Sequence, residues 1–255
     1  MKKGQNLWTR EELILAINLY CKIPFGKIHQ RNPEIILLAN LIKRTPGSVA
    51  FKMVNFASLD PSLKARGIKG ASNASKLDSE IWNEFFNAWD ILPFESEKLL
   101  AKFQNTTIEK INFSEDELPK EGKTREQIVK ARINQTFFRS AVLAAYDNKC
   151  CITGINQIDL LVAGHISPWS SDEKNRLNPR NGLSMNALHD KAFETGLMTI
   201  TPDYIIKISP RILKLKDQYV SEYFSKYHNQ SMIMPNRFLP DEVFLRYHND
   251  SRFKY

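Results

Sequence analysis

One histidine, one asparagine and two carboxylates stand close together in the second half of this 255-residue chain. His165 ends a short apolar run that begins at Asp159, a pattern typical of a buried strand that delivers an imidazole to a cleft. Asp190 and Glu194 are four residues apart, so on a helix their carboxylates would share one face and could bind a hard cation together. An imidazole beside such a pair has the form of a one-metal hydrolytic site.

Three elements must position these groups. The segment from Ser170 to Arg180 is polar and rich in turn formers, which predicts a loop that Asn181-Gly182 closes. From Leu183 onward, apolar residues at roughly helical spacing predict a helix that carries His189 and both carboxylates and ends at Gly196. Strand, loop, strand and helix would then enclose a single site.

A hairpin is expected next, because Thr201-Pro202-Asp203 separates two β-rich runs between Thr199 and Ile208. Upstream, Thr124 is expected to cap a long helix that runs to about Tyr146 and supports the site from behind. The region from residue 124 onward therefore reads as a mixture of helices and short strands.

Several motifs follow one another in order through this region: His165-Ile166 with Pro168-Trp169, the run from Arg176 to Leu183, and the run from His189 to Leu197. On these residues the chain resembles an HNH (His-Asn-His) endonuclease of the ββα-metal class. More narrowly, it is similar to bacterial HNH proteins of the restriction-endonuclease type that carry an N-terminal helical domain. The resemblance covers about Thr124 to Ile208.

The resemblance implies a role for each site residue. His165 aligns with the general base, which would take a proton from the attacking water. Asn181 would hold the loop that orients the histidine. Asp190, nine residues after the asparagine, aligns with a metal-binding position, and Glu194 with a further ligand position. The oxygen ligands imply one divalent ion per site, Mg²⁺ or Mn²⁺.

Two departures from the family pattern leave the ligand set open. Many members place an aspartate or histidine directly before the base, where this chain has Gly164. His189 lies one residue short of the usual final position, so a one-residue loop difference could bring it to the metal in place of Asp190. Arg176 and Arg180 flank the site, and a guanidinium can clamp a phosphate through two parallel hydrogen bonds. Both arginines are predicted phosphate ligands, with loop solubility as the alternative.

The N-terminal region reads as three short helices joined by tight turns. Thr9, Asn32 and Thr45 are the expected N-caps, and Val49 with later apolar residues marks the buried side of the third helix. The arrangement resembles a helix-turn-helix module, whose third helix enters the major groove. Its candidate DNA contacts, expected to project outward or to anchor the backbone, are Lys43, Arg44, Ser48, Lys52, Asn55, Lys64, Arg66 and Lys69.

The predicted fold class is α+β in two domains. A helical DNA-recognition domain spans residues 1–92, a locally acidic linker spans 93–123, and the HNH endonuclease domain spans 124–255 with its core motif at 150–208. An apolar fraction of 42% is enough for two real cores.

Charge and cysteine usage narrow the function classes. The 36 basic and 28 acidic residues give a net charge of +8, which favours a polyanionic partner such as double-stranded DNA. The three cysteines lack the paired spacing of a structural zinc site, so no structural zinc is expected. No apolar run is long enough to span a bilayer, and the first residues lack a secretory core, so the expected location is the cytoplasm and no membrane partner is expected.

Together these features predict a metal-dependent DNA endonuclease that hydrolyses phosphodiester bonds, with a restriction or defence role. Cutting both strands with one-metal sites would need two of them, which favours a homodimer. The competing class is a non-catalytic DNA-binding regulator that retains the HNH fold as a scaffold. A third hypothesis is a nuclease that acts on RNA. The sequence shows no recognisable platform for stacking single-stranded bases, which disfavours it.

Overall fold

The computed structural model describes residues 6–68, 74–86, 88–114, 117, 123–168 and 173–255. Of these described residues, 58% are helical and 8% lie in strands, a mixture of helices and small sheets that confirms the mixed fold class. It divides into two compact units, Met1–Phe137 and Phe138–Tyr255. The boundary falls within one long helix, whereas the domain boundaries drawn from the sequence remain a prediction.

The first unit is helical throughout its described residues. Its helices are α1 (Arg10–Lys22), α2 (Pro33–Leu41), α3 (Pro46–Leu59), α4 (Pro61–Ala65), α5 (Lys76–Phe86), α6 (Leu92–Phe103), α7 (Ile108–Asn112) and the first part of α8 (Lys123–Ala145).

Three helices of this unit begin where the sequence predicts. The Thr9 hydroxyl accepts the Glu12 amide hydrogen in a complete capping box, the Asn32 side chain accepts from two amides, and the Thr45 side chain accepts from Ser48. These caps satisfy amides that have no partner within the helix. The predicted starts of the first three helices are therefore confirmed.

The face that α3 presents to solvent differs from the prediction. Val49 lies in the core as expected, but Lys52 and Asn55 are only 7% and 2% exposed. The Lys52 ammonium donates to both carboxylate oxygens of the fully buried Asp78 at 2.9 Å, and the Asn55 amide also reaches that carboxylate. The expectation that Lys52 and Asn55 project outward is wrong, because a buried carboxylate on α5 draws both inward.

Replacing Lys52 by alanine should destabilise the protein strongly, because it leaves the Asp78 carboxylate buried without its cation. Breaking a buried pair from one side costs about 3–5 kcal/mol of unfolding free energy. Urea denaturation would measure the loss, and Lys64→Ala, at an exposed lysine of α4, should change stability by no more than about 0.5 kcal/mol. A loss below about 1 kcal/mol for Lys52→Ala would contradict the structural role given to this pair.

The interval predicted as a linker contains α6 and α7. Helix α6 packs against α1, and Phe113 after α7 forms a buried cluster with Val129 and Ile133 of α8. These contacts join residues that are far apart in the sequence, so the local acidity of the segment does not predict them.

The second unit contains the candidate site. Its elements after α8 are β1 (Leu161–His165), β2 (Gly182–Asn186), α9 (Ala187–Glu194), β3 (Met198–Ile200), β4 (Ile206–Ile208), α10 (Pro210–Leu213), α11 (Gln218–Tyr223) and α12 (Glu242–Ser251). Strands β1 and β2 form one antiparallel pair, with His165 opposite Gly182, and β3 and β4 form another. The second pair confirms the hairpin expected there.

The helix predicted from Leu183 to Gly196 ends where expected but begins later. The segment from Leu183 to Asn186 is strand β2, so the helix predicted from Leu183 begins instead at Ala187, where the Asn186 side chain caps it. Pairing with β1 decides the strand, since helical spacing over so few residues also fits a two-sided buried strand. Gly196 ends the helix as predicted, in the left-handed region at φ +73°.

Helix α8 packs closely on the start of β2 within the second unit. A Cβ built on Gly182 would lie 2.3 Å from Val142 Cγ2 and 3.0 Å from the Phe138 ring. Glycine therefore lets the helix approach the strand pair at the position opposite His165. No helix among the described residues has both the length and the apolarity needed to cross a membrane.

Candidate active site

His165 closes β1 and is held on two sides. One face of its imidazole stacks on the Phe138 ring of α8, with ring centroids 4.0 Å apart and planes 2° from parallel. Its Nε2 lies 2.9 Å from the Arg176 carbonyl oxygen in the loop before β2. Stacking fixes the plane of the ring, and the hydrogen bond fixes its rotation within that plane.

The Arg176 carbonyl also decides which nitrogen of His165 carries the proton. A carbonyl oxygen can only accept, so Nε2–H donates to it and the neutral ring keeps its lone pair on Nδ1. Burial lowers the pKa of His165 below its usual 6.5, although the Arg176 carbonyl works against that shift. Near neutral pH the imidazole is therefore uncharged, with its proton on Nε2 and Nδ1 available to accept a second proton.

Asn181 ties together both ends of the loop that holds His165. Its fully buried side chain accepts the Ser167 amide hydrogen at 2.8 Å and donates to the carbonyl oxygens of Ser167 and Asn175. Asn175 directly precedes the residue whose carbonyl accepts from His165. A change at Asn181 would therefore move the acceptor that orients the imidazole.

Asp190 lies directly against the backbone of β1. A Cβ built on Gly164 would meet Asp190 Oδ1 at 2.3 Å, which real side chains do not tolerate. The glycine beside His165 thus provides the space that the Asp190 carboxylate occupies. Helix α9 therefore packs this carboxylate against β1 one residue before His165.

The pKa values of the two carboxylates, Asp190 and Glu194, shift in opposite directions. Burial, together with the nearby charge of Glu194, raises the pKa of Asp190 to about 6. Glu194 itself is 66% exposed and pairs with Lys191 at 2.8 Å, which lowers its pKa. The charge of Lys191 offsets the shift at Asp190 only in part, so a positive ion at Asp190 would stabilise its charged form.

The segment that contains β1, β2 and α9 matches a known protein family. The family model described as HNH endonuclease matches residues 150–201. Residues 150–201 are an HNH endonuclease domain. No curated protein matches the chain. The matched segment contains His165, Asn181, Asp190 and Glu194, and the domain is that of a nuclease, a hydrolase.

His189, the alternative metal ligand, is buried within the HNH domain. Its ring is 0% exposed, Nε2 donates to the Tyr223 carbonyl at 2.6 Å, and Nδ1 accepts from the Asn186 amide at 3.0 Å. Both nitrogens are therefore engaged in hydrogen bonds that fix α9 to its surroundings. In this arrangement His189 has a structural role, whereas the Asp190 carboxylate packs against Gly164 of β1.

The two predicted phosphate ligands differ in their surroundings. Arg176 is half-buried in the loop beside His165, to which its own carbonyl is bonded. The Arg180 guanidinium pairs with Asp241 at 2.8 Å and also reaches the Leu239 carbonyl. Arg180 would have to release Asp241 before it could clamp a phosphate.

The candidate DNA contacts of the first unit also differ in availability. Lys43, Lys64 and Arg66 are exposed, and Ser48 is half-exposed at the start of α3. Arg44 is tied to the Glu12 carboxylate at 2.8 Å and stacks over a tryptophan ring. Lys69 and Trp169 lie outside the described residues.

Three features of the site escaped the sequence reasoning. Phe138 lies in the helix predicted to support the site from behind, but helical spacing alone does not indicate that its ring stacks on His165. Gly164 stood out as a missing ligand, although its lack of a side chain is what admits Asp190. The backbone carbonyl that orients the imidazole has no sequence signal of its own, because any residue carries a carbonyl.

The donor set fits a hard divalent cation with an open coordination shell. Among the described residues, no group of three or more acidic, histidine or cysteine side chains converges as a metal cage. Mg²⁺ retains several waters and is commonly bound by one or two carboxylates together with substrate phosphate. Asp190, with Glu194 four residues on, matches that mode of binding.

Proposed function

We propose that this protein is a metal-dependent DNA endonuclease in which His165 is the general base and Asp190 the principal metal ligand. The observation that carries the proposal is the fixed imidazole of His165, whose Nδ1 lone pair is left available, one residue from the strand position that the Asp190 carboxylate packs against. Glu194 serves as the further ligand. His189 positions helix α9, and Asn181 positions the loop before β2.

Each residue has a defined task in hydrolysis. Nδ1 of His165 accepts the proton of the attacking water, while Nε2–H stays bonded to the Arg176 carbonyl and prevents the ring from rotating. Asn181 holds that carbonyl in place through the preceding residue. The side chain of Arg176, whose carbonyl orients the base, binds the phosphate flanking the scissile bond.

A divalent cation, Mg²⁺ or Mn²⁺, bound by Asp190 would supply neutralisation of the charge that develops on the phosphate and on the leaving oxygen. Burial and the charge of Glu194 raise the pKa of Asp190 and outweigh the opposing charge of Lys191, so a bound cation would stabilise the ionised carboxylate. This supports a cation at that carboxylate over a purely structural role.

The first unit would supply DNA recognition through a helix-turn-helix-like arrangement of α2 and α3. Its remaining candidate contacts are Lys43, Ser48, Lys64, Arg66 and Lys69. Lys52 and Asn55 are withdrawn because they are buried on Asp78, and Arg44 because its guanidinium is paired with Glu12. Recognition by a separate unit supports a restriction or defence nuclease of the cytoplasm. A homodimer would place two such sites on the two strands.

Gly164→Ala is expected to lower cleavage by roughly 10²-fold, because the new Cβ must displace the Asp190 carboxylate by an ångström or more. Single-turnover cleavage would measure the loss. Gly26→Ala is the matched control, since a Cβ there meets nothing within 4 Å. Cleavage by Gly164→Ala at the rate of the control would exclude a role for the observed carboxylate position.

The alternative function is a DNA-binding regulator that keeps the HNH fold as a scaffold. Supercoiled plasmid, single-stranded DNA and RNA incubated side by side with Mg²⁺, Mn²⁺ or EDTA would separate the candidates. Metal-dependent cutting of the plasmid is the expected result. DNA binding with no product under any metal would favour the regulator, and cutting of RNA alone would favour an RNA nuclease.

A further inference from the structure

Two segments distant in sequence meet at the C-terminal end of the site helix α9. The Lys254 amide donates to the Gly196 carbonyl at 2.9 Å, and the Ser209 amide donates to the Leu197 carbonyl at 2.9 Å. The Ser209 hydroxyl in turn bonds the Lys254 carbonyl and accepts the Arg211 amide hydrogen. The contact is close, because a Cβ on Gly196 would lie 2.0 Å from the Arg252 carbonyl oxygen.

This convergence gathers exposed cations at one place. Arg211, Arg252 and Lys254 are all exposed, and they are brought together by the backbone bonds around Gly196 and Leu197 rather than by their own side chains. Among the residues that the structure describes, their side chains form no hydrogen bond or salt bridge. We name this group the basic ridge.

The basic ridge adjoins the carboxylates of the candidate active site. Gly196, whose carbonyl accepts the Lys254 amide hydrogen and whose Cα faces the Arg252 carbonyl, lies only two residues after Glu194. The acidic side chains in these segments are Glu194, already paired with Lys191, and Asp250, which is exposed on α12. The ridge therefore keeps an excess of positive charge beside the site.

Other exposed cations are held in ion pairs. In the first unit, Arg10 pairs with Glu84 at 2.5 Å and Lys102 pairs with Glu11 at 2.6 Å. Cations without such partners are surrounded by mobile counterions, and the release of counterions to solution drives the binding of polyanions. The ridge cations are of this second kind.

We propose that Arg211, Arg252 and Lys254 bind the DNA backbone on the α9 side of the scissile phosphate. The inference rests on the proposed function, and it adds a surface that none of the HNH motif residues includes. Phosphate contacts of this kind position the duplex without reading its sequence. The ridge should therefore contribute equally to binding of any duplex.

The test compares two triple variants that lose the same charge. Arg211→Gln/Arg252→Gln/Lys254→Gln removes the ridge, and Lys27→Gln/Arg31→Gln/Lys130→Gln removes three exposed cations of the first unit. Binding of a fluorescent DNA duplex is measured in EDTA over a series of salt concentrations. The slope of log K against log salt should fall by up to about 2.7 for the ridge variant, at about 0.9 per lost phosphate contact.

The control variant should keep the wild-type slope, and Arg252→Lys should retain more of it than Arg252→Gln. Equal slopes for the ridge and control variants would overturn the proposal. The assay contains no divalent metal, so it is independent of catalysis. A wild-type protein that binds with the expected slope yet cuts nothing in Mg²⁺ would refute the proposed function and leave the ridge intact.

Discussion

His165→Ala is expected to lower the rate of DNA cleavage by roughly 10²- to 10⁴-fold, the usual contribution of a general base. The loss follows because the hydrogen bond from Nε2 to the Arg176 carbonyl leaves the Nδ1 lone pair of His165 available to accept the proton of water. Because burial holds the pKa of His165 below 6.5, the wild-type rate should rise with pH up to that range and then level off. A single-turnover pH profile would measure both effects.

His29→Ala is the matched control, because His29 is exposed and lies outside the HNH domain. It should cut at the wild-type rate. The space that His165→Ala leaves beside the Phe138 ring should also let added imidazole restore part of the activity. An unchanged rate for His165→Ala would remove this residue from the mechanism.

Asp190→Asn should abolish most cleavage and yet make the metal-free protein more stable at alkaline pH. A carboxyl group whose folded pKa is raised from 3.8 to about 6 contributes stability below the lower value and loses it as pH rises through the higher one. Removing the charge should therefore add about 1–3 kcal/mol to the free energy of unfolding at pH 8 and almost nothing near pH 4. Urea denaturation in EDTA at the two pH values would measure the gain.

The same pair of proteins reports on metal binding without any cleavage. Mg²⁺ or Mn²⁺ should raise the melting temperature of the wild type, because a ligand that binds only the folded state stabilises it. It should leave Asp190→Asn almost unchanged, whereas Asp203→Asn, at an exposed aspartate in the β3–β4 turn, should respond as the wild type does. An equal metal response in Asp190→Asn and the wild type would place the ion elsewhere.

Local signals in the sequence predicted the local features of the fold well. Thr9, Asn32 and Thr45 cap their helices as expected, because a cap depends on only a few neighbouring residues. Gly196 ends α9 for the same reason. The spacing of the HNH motif likewise identified the segment that the family model matches.

Features that depend on distant partners were not predictable. Lys52 was assigned to the outer face of α3 by its spacing, but Asp78 draws it into the core. Arg180 was assigned to phosphate, yet Asp241 holds its guanidinium from a segment far along the chain. Helical spacing over four residues also failed to distinguish β2 from a helix, because only the pairing with β1 decides it.

The central claim is that His165 and Asp190 act together in one metal-dependent nuclease site, and cleavage of supercoiled plasmid tests it most directly. Wild type, His165→Ala and Asp190→Asn would be incubated with the plasmid in Mg²⁺, in Mn²⁺ and in EDTA. Product is expected only from the wild type and only with metal. Cutting by either variant at the wild-type rate, or cutting by the wild type in EDTA, would contradict it.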